Sequence, residues 1–277
     1  MDCKEPEPSP LLPNFFLLFW QNPPTQMSEK ERHLWTACGS GHLLTVTQLL
    51  QDTTINVNLR FGFYASSPLM QACLLKQKAV ILLLLQDPRV DINQPNSFGV
   101  TPLAVCANGP VEVLRTILND PRVRAKSKDS IGTTPLLNAC AKGHPSSVAV
   151  LARDPRIDPN EVMVDGQSAM SLLLEIGNSR GLEELISHCS HLDVDHPVNV
   201  DASCRLDLPE TWRELLRSQD KPLVTPREIG LAAGFQNTVT LLDEFTRDPL
   251  ATRYKCWQAI GAQGAQPCRF SKFFTQT

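Results

Sequence analysis

The densest run of side chains able to hold a metal or move a proton is His188-Cys189-Ser190-His191-Leu192-Asp193-Val194-Asp195-His196, with Cys204 downstream. Imidazole, thiolate and carboxylate are the usual zinc ligands, and a closed structural site needs four that converge. His188 and His191 share a face only on a helix that runs through both. The polar residues that follow favour a helix end there instead, and the spacing is that of no standard zinc finger. The segment reads as a polar insert, in competition with a zinc-dependent enzyme using residues 188–204. Gly39-Ser40-Gly41 lacks the third glycine or the lysine of a phosphate loop, and no strand precedes it. It reads as a turn. No Ser-His-Asp, paired-carboxylate or Cys-His pattern stands out, so no catalytic residue, cofactor or metal is assigned.

The nine cysteines form no CxxC pair, and Cys38, Cys73, Cys106 and Cys140 follow one another at intervals of 35, 33 and 34 residues. Ligands of one metal must converge, whereas residues on a fixed period of this length lie on successive structural units. These thiols read as small packing residues between helices. The chain of 277 residues has 42% hydrophobic and 20% charged residues and a formal charge of −3. It is long enough for a sizeable core and has no net positive field to draw nucleic acid. Phe15 to Trp20 is apolar for six residues only, too short to span a bilayer and without a leader's small-residue cleavage site. A reduced, intracellular setting is expected, with no membrane partner.

The elements that position these residues are set by a repeat. Gln86-Asp87-Pro88-Arg89-Val90-Asp91-Ile92-Asn93 recurs with its proline at Pro121 and Pro155, 33 and 34 residues on. Between these lie Ser67-Pro68-Leu69, Thr101-Pro102-Leu103 and Thr134-Pro135-Leu136, whose prolines are 34 and 33 residues apart. Ser or Thr before proline supplies an N-cap with Pro at the first helical position. A second helix carries Val80, Ile81, Leu84 and Leu85 on one face and stops at the Asp-Pro-Arg triplet. A polar turn near Asn96–Gly99 or Asp129–Gly132 leads to the next helix pair. The third unit is one residue short between Cys106 and Gly109, so a locally different turn is expected there.

A helix-turn-helix unit with a β-turn finger at this period resembles the ankyrin repeat. The resemblance implies an all-α solenoid and, for His42 and His144, a bond to neighbouring turn backbone. Six units are read, at 30–58, 65–93, 99–125, 132–160, 166–192 and 225–247, with an irregular insert at 193–224. The units make one stacked domain, 30–247. Residues 1–29 read as a flexible segment whose aromatic run caps the stack, Pro209 to Ser218 as a helix within the insert, and 248–277 as a tail with a helix near Thr252–Ile260.

Solenoids of this kind bind through fingers and first helices, and a large apolar residue in a finger has no core to join. The first finger holds Arg60, Phe61, Phe63 and Tyr64, and Phe98 lies in the second; aromatic plus Arg is the commonest hot-spot composition. These five residues are the candidate partner-binding set, against the alternative that Phe61 or Tyr64 tucks under its own loop. Arg122, Arg124, Lys126 and Lys128 read as a solvated face, with an acidic-partner or phosphate patch as the alternative. The Asp-Pro-Arg-Val-Asp-Ile-Asn and Asp-Pro-Leu-Ala-Thr-Arg segments are similar to those of filamentous-fungal ankyrin-repeat proteins, some of which regulate secondary-metabolite gene clusters. That resemblance implies a nuclear, non-enzymatic coregulator whose partner is a DNA-binding transcription factor, since no basic DNA-binding region is seen here. A cytoplasmic adaptor or substrate receptor is the alternative.

Overall fold

The structure is a computed structural model, and it describes residues 28–189, 192–193, 198–199, 223–232 and 234–260. The chain divides into two compact units, Met1–Arg124 and Ala125–Thr277. The helix read between Pro209 and Ser218 lies outside the described residues, as does the aromatic run of the N-terminal segment.

The first unit holds three helix pairs. They are α1 (Glu29–Ser40) with α2 (Leu43–Leu50), α3 (Pro68–Leu74) with α4 (Lys78–Gln86), and α5 (Pro102–Cys106) with α6 (Val111–Asn119). First helices stack on first helices, α1 on α3 on α5, and second helices likewise, α2 on α4 on α6. The caps follow from the sequence. Ser67 and Thr101 accept the backbone N–H groups of Met70 and Ala104, and Pro68 and Pro102 open α3 and α5. Ser28 and Glu31 close a capping box at α1. Between the layers Leu34, Cys38, Leu69, Met70, Cys73, Val80, Leu84, Leu103 and Leu114 are buried.

The second unit repeats the plan with α7 (Pro135–Ala141) and α8 (Pro145–Ala152), α9 (Ala169–Glu175) and α10 (Ser179–His188), α11 (Pro226–Ala232) and α12 (Gln236–Arg247). A further helix, α13 (Pro249–Ala259), packs on α10 and α12 and brings Cys256 into a core with Met170, Leu174, Leu182, Ile186, Leu242 and Phe245. The insert is tied at its base. Val198–Asn199 (β1) pairs antiparallel with Leu223–Val224 (β2), Val198 opposite Val224, so the chain leaves and returns at one place.

The short third unit differs where expected. Gly41 (φ 76°), Gly143 (φ 69°), Gly177 (φ 66°) and Gly234 (φ 77°) turn the chain through the left-handed region between paired helices, whereas Gly109 does not. There α5 has five residues, and Asn108 and Gly109 close tight turns onto the carbonyls of Val105 and Cys106. In the second pair a lysine, Lys76 (φ 57°), holds the left-handed position.

Each Asp-Pro-Arg triplet does more than end a helix. The backbone N–H of Arg89, Arg122 and Arg156 donates to the Asp two residues earlier, at 2.9 Å in each case, and the guanidinium folds back onto the same carboxylate. Arg89 then reaches the carbonyl of Leu50 (2.7 Å) and Arg122 that of Leu85 (2.8 Å), stapling the exposed C-terminal end of the previous second helix. An asparagine ladder runs beside it. Asn58 donates to the Arg89 carbonyl and accepts the Asp91 N–H, both at 2.7 Å. Asn93 does the same with Arg122 and Arg124, again at 2.7 Å, and Asn160 accepts the Asp193 N–H at 2.7 Å.

Candidate protein-interaction surface

The first finger is a small hairpin. Phe61 and Ser66 exchange backbone hydrogen bonds of 2.9 and 2.8 Å, and Gly62 (φ 78°) and Ala65 (φ 48°) turn the tip between them. Trp35 of α1 locks its base, donating from Nε1 to the Ser66 carbonyl at 2.9 Å. Phe61 meets that indole edge-to-face, with centroids 5.2 Å apart, so it is half-buried and anchors the finger to α1.

Beyond Gly62 the rings face outward. Phe63, Tyr64 and Phe98 are 47%, 52% and 47% exposed. Phe63 lies edge-on to Tyr64 at 5.2 Å, and Tyr64 meets Phe98 of the second finger at 5.8 Å. Ser97 joins the fingers by donating from its N–H (2.9 Å) and its hydroxyl (3.1 Å) to the Tyr64 carbonyl. Arg60 is exposed and aligned along the hairpin by its Nε bond to the Ala65 carbonyl, 3.2 Å. The five residues singled out in the sequence therefore divide, with Phe61 turned toward the fold and the other four around the finger tips.

Sequence reasoning passed over Trp35, Leu74 and Leu75. Leu74 and Leu75 end α3 at 42% and 52% exposure, after Leu69, Ala72 and Cys73 have taken the buried face. Their signal was their phase, one and two residues beyond Cys73.

Several of the remaining candidates take structural roles. His188 accepts a hydrogen bond from Arg153 Nε at 3.0 Å and lies 3.4 Å from the Glu184 carboxylate. Burial pushes the Cys189 thiol up to about 12, and the Asp193 N–H bonds Asn160. Among the described residues no three His, Cys, Asp or Glu side chains are grouped to hold a metal ion; His191, Asp195, His196 and Cys204 lie outside them. Cys38, Cys73, Cys106 and Cys140 are buried on the first helices, and burial lifts the Cys38 thiol to about 12. His42 and His144 make no side-chain cap. Their backbone N–H groups close the preceding helices instead, onto Ala37 and Ala139. In the basic stretch, Arg122 is engaged by Asp120 and Lys128 by Glu161.

Short paired helices that stack within each unit and are joined by fingers make a repeat protein, an architecture that offers extended binding surfaces. Residues 33–129 and 69–163 match the family model of ankyrin repeats in three copies. The fold is the all-α ankyrin solenoid, and repeats of this kind form a protein–protein interaction module. No curated protein matches the chain. Among the described residues no helix is long and apolar enough to cross a membrane.

Proposed function

We propose that this protein is a non-enzymatic docking protein, a transcription coregulator that acts in the nucleus through a DNA-binding partner on a fungal biosynthetic gene cluster. The carrying observation is the outward cluster of Phe63, Tyr64 and Phe98, held across two fingers and about half exposed. Aromatic surface of this size, presented on hydrogen-bonded hairpins, is the composition of a binding hot spot. An indirect route to DNA is supported by electrostatics. The Asp-Pro-Arg guanidiniums, the periodic cations a phosphate backbone would need, are held by their own aspartates, and the formal charge is −3. The gene-cluster role rests on the resemblance of the repeat and tail segments to fungal ankyrin regulators.

The test is affinity purification from cells expressing the tagged full chain and its Tyr64→Ala/Phe98→Ala form. A nuclear copy that recovers a transcription factor, lost in the double variant, is the expected result. A copy confined to the cytoplasm would overturn the coregulator and favour the adaptor.

A further inference from the structure

The finger that carries the aromatic tips is anchored on a first helix of the same unit. Trp35, under Phe61, is one turn from Gly39 on α1, and Gly39 lies against α3; a Cβ there would stand 3.1 Å from both Gln71 Cγ and Leu75 Cδ1. Leu75 and its neighbour Leu74 are exposed. Helix α1 thus touches both exposed groups of the unit: Trp35 holds the base of the finger that carries Phe63 and Tyr64, and Gly39 lies against Leu75.

The charge around these groups is one-sided. Arg60 flanks the finger end and Lys76 follows Leu75 at the other, and among the described residues neither has an ion-pair partner. Among the described residues of the unit most carboxylates are engaged elsewhere: Glu31 in the α1 capping box, Asp52 with Lys30, Asp87 with Arg89, Asp91 with the Asn93 N–H, Asp120 with Arg122, and Glu112 near Lys78, while Glu29 lies in the first turn of α1. Fingers one and two, residues 59–66 and 94–100, carry no acidic residue at all. Lys76 also holds a backbone conformation that four other turns give to glycine. A lysine there is strained where glycine would not be, and strain retained at a surface position points to use.

We infer that this face binds an apolar, acidic segment of a protein partner. Two or three large apolar side chains seat on the rings and on Leu74 and Leu75, and Asp or Glu residues meet Arg60 and Lys76. The inference rests on the reading of the chain as a protein-docking module and specifies the partner's chemistry.

The experiment selects random 12-residue peptides displayed on phage against the full chain, then measures the enriched peptides by fluorescence anisotropy. Enriched sequences should combine at least two large apolar residues with net negative charge. The Arg60→Glu/Lys76→Glu variant should weaken them roughly tenfold or more at low salt. Lys76→Gly should weaken binding while raising the thermal midpoint, a pairing that a purely structural lysine would not give. Enrichment of neutral or basic peptides, or unchanged affinity in the charge reversal, would overturn the acidic-partner inference and leave the docking module standing. No enrichment at all would remove both. An oligothymidine of twelve nucleotides that competes with the peptides and binds more tightly would assign the rings to base stacking and overturn the inference as well.

Discussion

Phe61 and Phe63 are two residues apart and do different work. Phe61 closes on Trp35, whose indole is itself tied to Ser66, whereas Phe63, Tyr64 and Phe98 lie outward. Phe61→Ala should therefore cost about 1–2 kcal/mol of stability, the area and edge-to-face term of a half-buried ring. Phe98→Ala should stay within about 0.5 kcal/mol, as surface substitutions do. Urea denaturation separates them, and equal losses would contradict the division. The composition of the finger was legible in sequence, but not which ring folds inward. That choice is made by the hairpin, where Phe61 pairs with Ser66 and Gly62 at φ 78° redirects the chain.

At the scale of the elements, the spacing of prolines and caps was legible because each acts on its own helix. The Arg and Asn of the finger segments were not, because they act on other repeats. Arg89 bonds carbonyls 37 and 39 residues back, and Asn58 and Asn93 reach backbone 29 to 33 residues ahead. Such bonds cannot be read from local pattern. Asn93→Ala deletes two of them, both exposed, so it should cost about 0.5–1.5 kcal/mol. Lys126 stands where the repeat has Asn93 and Asn160. Lys126→Asn places the ladder's side chain at that position and should raise the thermal midpoint by about 2–4 °C for each kcal/mol it contributes. Calorimetry of both variants checks the ladder; an unchanged Asn93→Ala midpoint would dismiss it.

Across the whole molecule the same triplets set the response to acid. The paired arginines hold Asp87, Asp120 and Asp154 below the ordinary carboxylate range. Each folded-state value lies under the unfolded one, so the contribution is complete above the unfolded value, about 3.9, and is lost as pH falls through the lower folded values. The thermal midpoint should thus fall with decreasing pH below about 4, and more steeply than in the Asp87→Asn/Asp120→Asn/Asp154→Asn form. Parallel curves for the two proteins would contradict this. The pairs are partly exposed, so added salt should blunt the difference.

Sequence by itself determined the repeat, its period and the chemistry of each helix start, since capping and proline geometry act within a few residues. It also marked the aromatic fingers, through apolar residues standing where a repeat needs polar turn. Tertiary structure alone decided that Leu75 lies against the same helix, α1, that holds the base of the aromatic finger, and that Asp-Pro-Arg is a staple as well as a stop. Both depend on how one helix pair is laid against the next, and that contact is made by residues about one repeat apart in the chain.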